Sequence, residues 1–209
     1  MSGKIIVVAQ QKGGSGKTTL AANLAVAYAR QGQSVALLDT DPQGSLGRWF
    51  MARRERYGDA GMEFSTSSAW GVSYECEKLR RAADVVLIDT PPKVDSDLRP
   101  ALREADLVLI PVASSHVDLW ATDGVLDLAR REGKLATVVL NRVKAGTRLA
   151  AEVAEAAGAL EAQLAASMLA NRVAYAETLG TGQGVLEAAR RGPAAAEIEA
   201  LAAEVTTLL

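Results

Sequence analysis

The sequence of 209 residues predicts a doubly wound α/β domain: a mainly parallel sheet with helices on both faces. Three observations carry that prediction. Short β-branched apolar runs recur along the chain without polar alternation, as strands covered on both faces do. Longer stretches with apolar residues at helical spacing separate them. A glycine-rich turn stands between the first run and the first helical stretch, and acidic residues end two later runs.

In chain order, "KIIVVAQ" (4–10) reads as the first strand, and 17–31, with Leu20, Leu24 and Ala27 on one face, as the first helix. "SVALLD" (34–39) is the second strand, and "MEFST" (62–66) a weaker candidate. "DVVLID" (84–89), "DLVLIPV" (106–112) and "LATVVL" (135–140) follow, with a helix predicted over 118–131. "AQLAASML" (162–169) fits a strand or a helix, since periodicity does not separate them. "GPAAAEIEALAAEVTTLL" starts with a Gly-Pro breaker and reads as a closing amphipathic helix. No linker, repeat or low-complexity tract interrupts the series, so residues 1–209 are expected to form one domain.

Composition narrows the function. Apolar residues at 49% and charged residues at 23% are ordinary for a globular chain. The net charge of −2 gives no whole-molecule attraction to nucleic acid or anionic lipid, so either would need a local patch. Cys76 is the single cysteine, which rules out an internal disulfide or a cysteine cluster site and points to a reduced, cytoplasmic setting. The start of the chain lacks a signal peptide's apolar region, and no apolar stretch approaches the roughly 20 residues of a membrane span.

The chemistry concentrates in "QQKGGSGKTT" (10–19). Gly16-Lys17-Thr18 matches the end of the phosphate-binding pattern G-x-x-x-x-G-K-[ST], but Gln11 replaces the leading glycine and a second lysine, Lys12, follows it. Between a strand and a helix, the N–H groups of Gly14, Ser15, Gly16 and Lys17 are expected to face phosphate oxygens at the positive helix end. Lys17 would reach the β and γ phosphates and the Thr18 hydroxyl would sit on Mg²⁺. Gly13 and Thr19 complete the nucleotide-contacting stretch. Carboxylates end neighbouring strands: Asp39 and Asp41 in "LLDTDPQ", Asp89 in "VLIDTPP". Asp89 suits the acid that holds Mg²⁺ through a water. Asp39 and Asp41 can both aim at the site, or one of them can cap the turn at Pro42.

"QKGGSGKTT", "LLDTDPQG", "VLIDTPP" and "IPVASSHVDLWAT", in this order and spacing, resemble the ParA/MinD family of deviant-Walker ATPases, and within it the short ParA-like partition ATPases. The resemblance covers nearly the whole chain. It implies an ATP-dependent homodimer in which Lys12 reaches the partner's phosphates while Lys17 and Thr18 serve the nucleotide of their own chain. It further implies that Asp41 orients the attacking water, Asp39 supports the Mg²⁺ shell and Asp89 is the Walker B acid. Asn141 and Arg142, at the end of "VVLNRV", would contact or border adenine, although Asn141 also suits a strand-end turn. No N-K-x-D box for guanine is present.

Among the family's branches, cluster-bearing iron proteins need paired cysteines, MinD-like members end in a basic amphipathic helix, and long partition ATPases carry an N-terminal DNA-reading domain. None of these matches the chain as read. The remaining type binds DNA non-specifically and answers to a ParB-like or other adaptor protein, cytoplasmic, nucleoid-associated and without a membrane partner. Its DNA contacts would come from Lys144, Arg148, Arg172, Arg190 and Arg191, with Arg53-Arg54-Arg56 and Arg130-Arg131-Lys134 as further clusters. Trp49, Trp70 and Trp120 are expected in core or interface positions, and His116 in a loop near the dimer face. The alternative is a P-loop kinase or ligase for a small molecule, of the dethiobiotin-synthetase-like type.

Overall fold

The computed structural model describes residues 2–93 and 97–209. Seven strands form one sheet: β1 (Lys4–Val8), β2 (Val35–Asp39), β3 (Glu63–Thr66), β4 (Val85–Asp89), β5 (Leu107–Ala113), β6 (Ala136–Asn141) and β7 (Gln163–Leu164). The order is β3-β2-β4-β1-β5-β6-β7, and every pairing is parallel. β1 lies between β4 and β5, with Lys4 opposite Val85 and Ile6 opposite Leu107. The chain winds outward from β1 in both directions, so its carboxyl end sits where a doubly wound sheet leaves a crevice for ligands.

Ten helices cover the sheet among the described residues. They are α1 (Lys17–Arg30), α2 (Ser45–Tyr57), α3 (Val72–Ala82), α4 (Leu98–Glu104), α5 (His116–Trp120), α6 (Asp123–Arg131), α7 (Arg148–Gly158), α8 (Val173–Gly180), α9 (Val185–Ala188) and α10 (Pro193–Thr207). Alternate residues of a strand face opposite ways. Ile6 and Val8 accordingly join Leu20 and Leu24 of α1, Trp49 of α2 and Ile198 and Leu201 of α10 in one core. Ile5 and Val7 join Cys76 and Leu79 of α3, Leu102 of α4, Val125 of α6 and Val153 of α7 in the other. Unbroken apolar runs are what a sheet needs when both of its faces are buried.

The first helix and the strands fall within a few residues of their expected places, and "MEFST" is the edge strand β3. The ambiguous 162–169 contributes only the two-residue strand β7. The helix expected over 118–131 is two helices, α5 and α6, interrupted at Ala121 and Thr122. At the break the buried Thr122 hydroxyl donates to the Asp118 carbonyl and accepts from the Gln10 side chain, tying this point to the turn after β1. His116 begins α5 rather than lying in a loop. Trp49 is in the core, whereas Trp70 and Trp120 are exposed. Among the described residues no helix is long and apolar enough to cross a membrane.

Candidate functional site

β1 ends at Val8, and residues 9–16 turn sharply into α1 over the carboxyl edge of the sheet. Gly14 and Gly16 have φ of 77° and 95°, where a side chain would be strained. Gly16 has a second reason to be glycine. A Cβ there would lie 2.4 Å from the Asn141 side-chain nitrogen, which donates a 2.7 Å hydrogen bond to the Ser15 carbonyl. The Asn141 side-chain oxygen accepts from the Arg142 N–H, and Arg142 takes a positive φ of 53°. Asn141 thus braces the loop from the end of β6, with both ends of its amide engaged. Arg142 faces the neighbouring pocket.

The second half of the loop is buried and electrostatically unsettled. The Thr18 hydroxyl donates to Asp89 Oδ2 at 2.6 Å, while Asp89 Oδ1 and the Ser15 hydroxyl are buried without a hydrogen-bond partner. Burial pushes the Asp89 carboxyl up to about 7, against the Thr18 hydrogen bond and helped by the nearby Asp39. Burial also lowers the Lys17 pKa, partly offset by Asp89 and Asp41. A desolvated lysine next to a carboxylate oxygen with nothing to bind suits a phosphate chain and a cation bound together. Among the described residues no group of three or more His, Cys, Asp or Glu side chains is placed to hold a metal ion.

Asp39 ends β2 with both oxygens occupied by backbone donors, Asp41 N–H at 3.0 Å and Gly47 N–H at 2.9 Å. Its geometry is that of the residue capping the turn into α2. Burial raises its pKa and these hydrogen bonds lower it. Asp41, half-buried, lies close enough to Lys17 to favour the lysine's charge, and accepts the Gln43 N–H with one oxygen.

Lys12 is built differently. Its side chain is 40% exposed, and its ammonium sits 2.9 Å from Asp118 Oδ2 on α5. Asp118 is buried and also accepts from the Ser115 hydroxyl, which caps α5 by accepting the Asp118 N–H. Behind it, the Gln10 side chain donates to the Pro111 carbonyl and to Thr122. Gly13 is exposed with open space around it.

Beside Gly16 and Thr19 opens a cavity of about 500 Å³, walled by Ser45, Arg48 and Trp49 of α2, by Asn141 and Arg142, and by Tyr175, Leu179 and Gly180 of α8. These α2 and α8 residues escaped the sequence reading. Asp118 did too, although Ser115 and Asp118 carry the S-x-x-D spacing of a helix N-terminus. The predicted DNA-contacting cations differ in what they touch. Lys144, Arg190 and Arg191 are exposed, and Arg148 pairs with Glu152 on α7. Arg172 is committed to Glu197 through two hydrogen bonds. Of the further clusters, Arg53 is buried in an ion pair with Glu187, and Arg130 pairs with Asp127 and Glu161.

The model of the CobQ/CobB/MinD/ParA nucleotide-binding domain matches residues 6–185. Maintenance of carboxysome distribution protein A of Halothiobacillus neapolitanus is 28% identical over 198 residues, 92% of this chain and 91% of that protein. The chromosome-partitioning ATPase Soj of Thermus thermophilus is 30% identical in an alignment that covers 96% of this chain and 94% of that protein. A putative plasmid partition protein of Borrelia burgdorferi bound to AMPPNP superimposes with a TM-score of 0.80 at 19% identity, covering 100% of both chains. The MinD cell division protein of Aquifex aeolicus does so with a TM-score of 0.81 at 21% identity, over 98% of this chain and 97% of that one. At those identities the two structures speak for the fold.

Proposed function

The chain belongs to the CobQ/CobB/MinD/ParA nucleotide-binding family, and from that premise we propose that it is a Mg²⁺-dependent ATPase switch that dimerises on ATP, binds DNA without sequence preference and positions a cargo. The observation that carries this reading is the contrast between its two loop lysines. Lys17 is buried beside Asp89 and Asp41, whereas Lys12, five residues earlier, is half-exposed and held by a single carboxylate.

In this reading the loop N–H groups and Lys17 hold the phosphates of the chain's own nucleotide, and Asn141 keeps the loop in shape. Thr18 and Asp89 would hold Mg²⁺, and Asp39 keeps the Asp41 loop in register behind them. Mg²⁺ supplies neutralisation of the phosphate charge. Asp41 orients the water. Lys12 leaves Asp118 for the partner subunit's γ-phosphate, where the transition state gathers negative charge. A lysine gives a point charge and no bidentate fork, so turnover is slow and leaves scope for stimulation by an adaptor protein. Without a γ-phosphate, two lysine-bearing faces repel and the dimer parts.

DNA contact rests on the exposed Lys144, Arg190 and Arg191, with Arg148 able to exchange its surface partner Glu152 for a phosphate; Arg172, tied to Glu197, contributes least. The names of two relatives, carboxysome distribution and chromosome partitioning, support the positioning of a cargo as the task.

The test is retention on random-sequence DNA with ATP, ADP or no nucleotide, across a salt series. Retention is expected with ATP alone, with log affinity falling by roughly 0.9 per neutralised phosphate for each tenfold rise in salt. A chain that stays monomeric and off DNA with ATP overturns the reading, and phosphorylation of a small molecule by it would support the kinase or ligase alternative.

A further inference from the structure

The two walls of the cavity beside the phosphate loop belong to elements far apart in sequence, α2 and α8. Past the end of α8, residues 182–187 turn back and bind α2 closely. Arg53, in the third turn of α2, is buried and gives both terminal nitrogens to the two oxygens of Glu187 at 2.8 Å. It also donates to the Gly182 carbonyl at 3.1 Å and the Ala60 carbonyl at 2.8 Å. The rings of Trp49 and Tyr57 lie 5.5 and 5.0 Å from its guanidinium carbon. Trp49, itself on the cavity wall, donates its indole N–H to the Gln183 carbonyl at 3.0 Å. Gly182, at φ 69°, lies so near α2 that a Cβ would come within 2.2 Å of the Arg53 nitrogen.

We infer that Arg53 and Glu187 are positioning residues: their ion pair fixes the gap between the α2 and α8 walls and thereby how long a nucleotide stays bound. The inference rests on the reading that this cavity takes a nucleotide. Three pieces of geometry support it. A buried ion pair is a poor source of stability compared with apolar packing, but a bidentate guanidinium–carboxylate contact sets both distance and orientation. The same turn is anchored to the phosphate loop's helix, because the Val185 N–H donates to Asn23, which donates to the Thr19 carbonyl. At its other end α2 is tied to the strand-end acids: Gly47 N–H donates to Asp39, and Gly44 N–H to the Asp41 carbonyl. Loosening the pair would therefore open the cavity and shift Asp41 with it.

The experiment measures dissociation of fluorescently labelled ADP by stopped flow for the wild type, Glu187→Gln, Arg53→Lys and the double variant, alongside KM and kcat for ATP. All are read at one temperature at least about 15 °C below the lowest melting midpoint, so that unfolding makes no contribution. Each single variant is expected to release ADP about fivefold faster, and the double variant no faster than the worse single one, because both changes break one contact. Trp49→Phe, which removes the Gln183 hydrogen bond and shrinks the ring that lines the cavity beside Arg53, is expected to speed release in the same direction. Release rates within about twofold of wild type despite lower melting midpoints would show the pair to be structural only and overturn the inference. A wild type that does not bind labelled ADP would instead overturn the nucleotide reading.

Discussion

The two halves of the phosphate loop share ten residues and little else. From Ser15 to Thr19 the loop is embedded: Lys17 is 7% exposed, Thr18 is bound to Asp89, and Asn141 braces it from β6. From Gln11 to Gly14 it lies open, and its lysine is held by one ion pair whose cationic partner is 40% exposed. Asp118 on the other side of the pair is only 8% exposed and keeps its Ser115 hydrogen bonds when Lys12 leaves, while the Lys12 ammonium has a path to water. Lys17 has been stripped of water and has no such freedom. One lysine is fixed for chemistry within its own chain, and the other is available to something outside it.

That comparison breaks most visibly at Lys17. Lys17→Ala should lower ATP affinity about a hundredfold, with hydrolysis lost, since a charge-assisted contact in a desolvated site is removed. Equilibrium titration with labelled ATP checks it, and near-normal affinity would mean the embedded half does not hold the phosphates. Lys12→Ala should leave ATP affinity of the monomer within about twofold while hydrolysis falls about a hundredfold, the size of effect seen when a transition-state donor is lost. Unchanged turnover in that variant would refute the contact in trans. The smallest effect is expected from Asp118→Asn, which keeps the shape of the Ser115 cap but releases Lys12. Light scattering should then detect ATP-dependent dimers at a few-fold lower ATP concentration. A higher ATP requirement would make Asp118 a support for Lys12 instead of a competitor.

The embedded half could be read in the sequence because its logic is local: strand, glycine turn, Lys-Thr and helix follow each other without a gap. The strand-end acids were legible for a similar reason, since a parallel sheet brings its carboxyl ends together. What could not be read depends on contacts across the chain. Lys12 meets Asp118 over 106 residues, and Arg53 meets Glu187 over 134. In sequence Arg53 stands in a cluster of arginines that suits a surface, yet the fold buries it beside the Trp49 and Tyr57 rings. The break at Thr122 likewise involves a distant partner, the Gln10 side chain 112 residues away.

The position of β1 has a consequence in time. It lies in the middle of the sheet, yet its partners are Val85 in β4 and Leu107 in β5. At roughly 5–20 residues per second of synthesis, the first strand waits about 4–16 s for its first neighbour. The bracing Asn141 is made later still. The phosphate loop is thus made well before the neighbours that hold it in shape. Until then a nascent chain carries an apolar strand with both edges unpaired, which is when it is most exposed to aggregation.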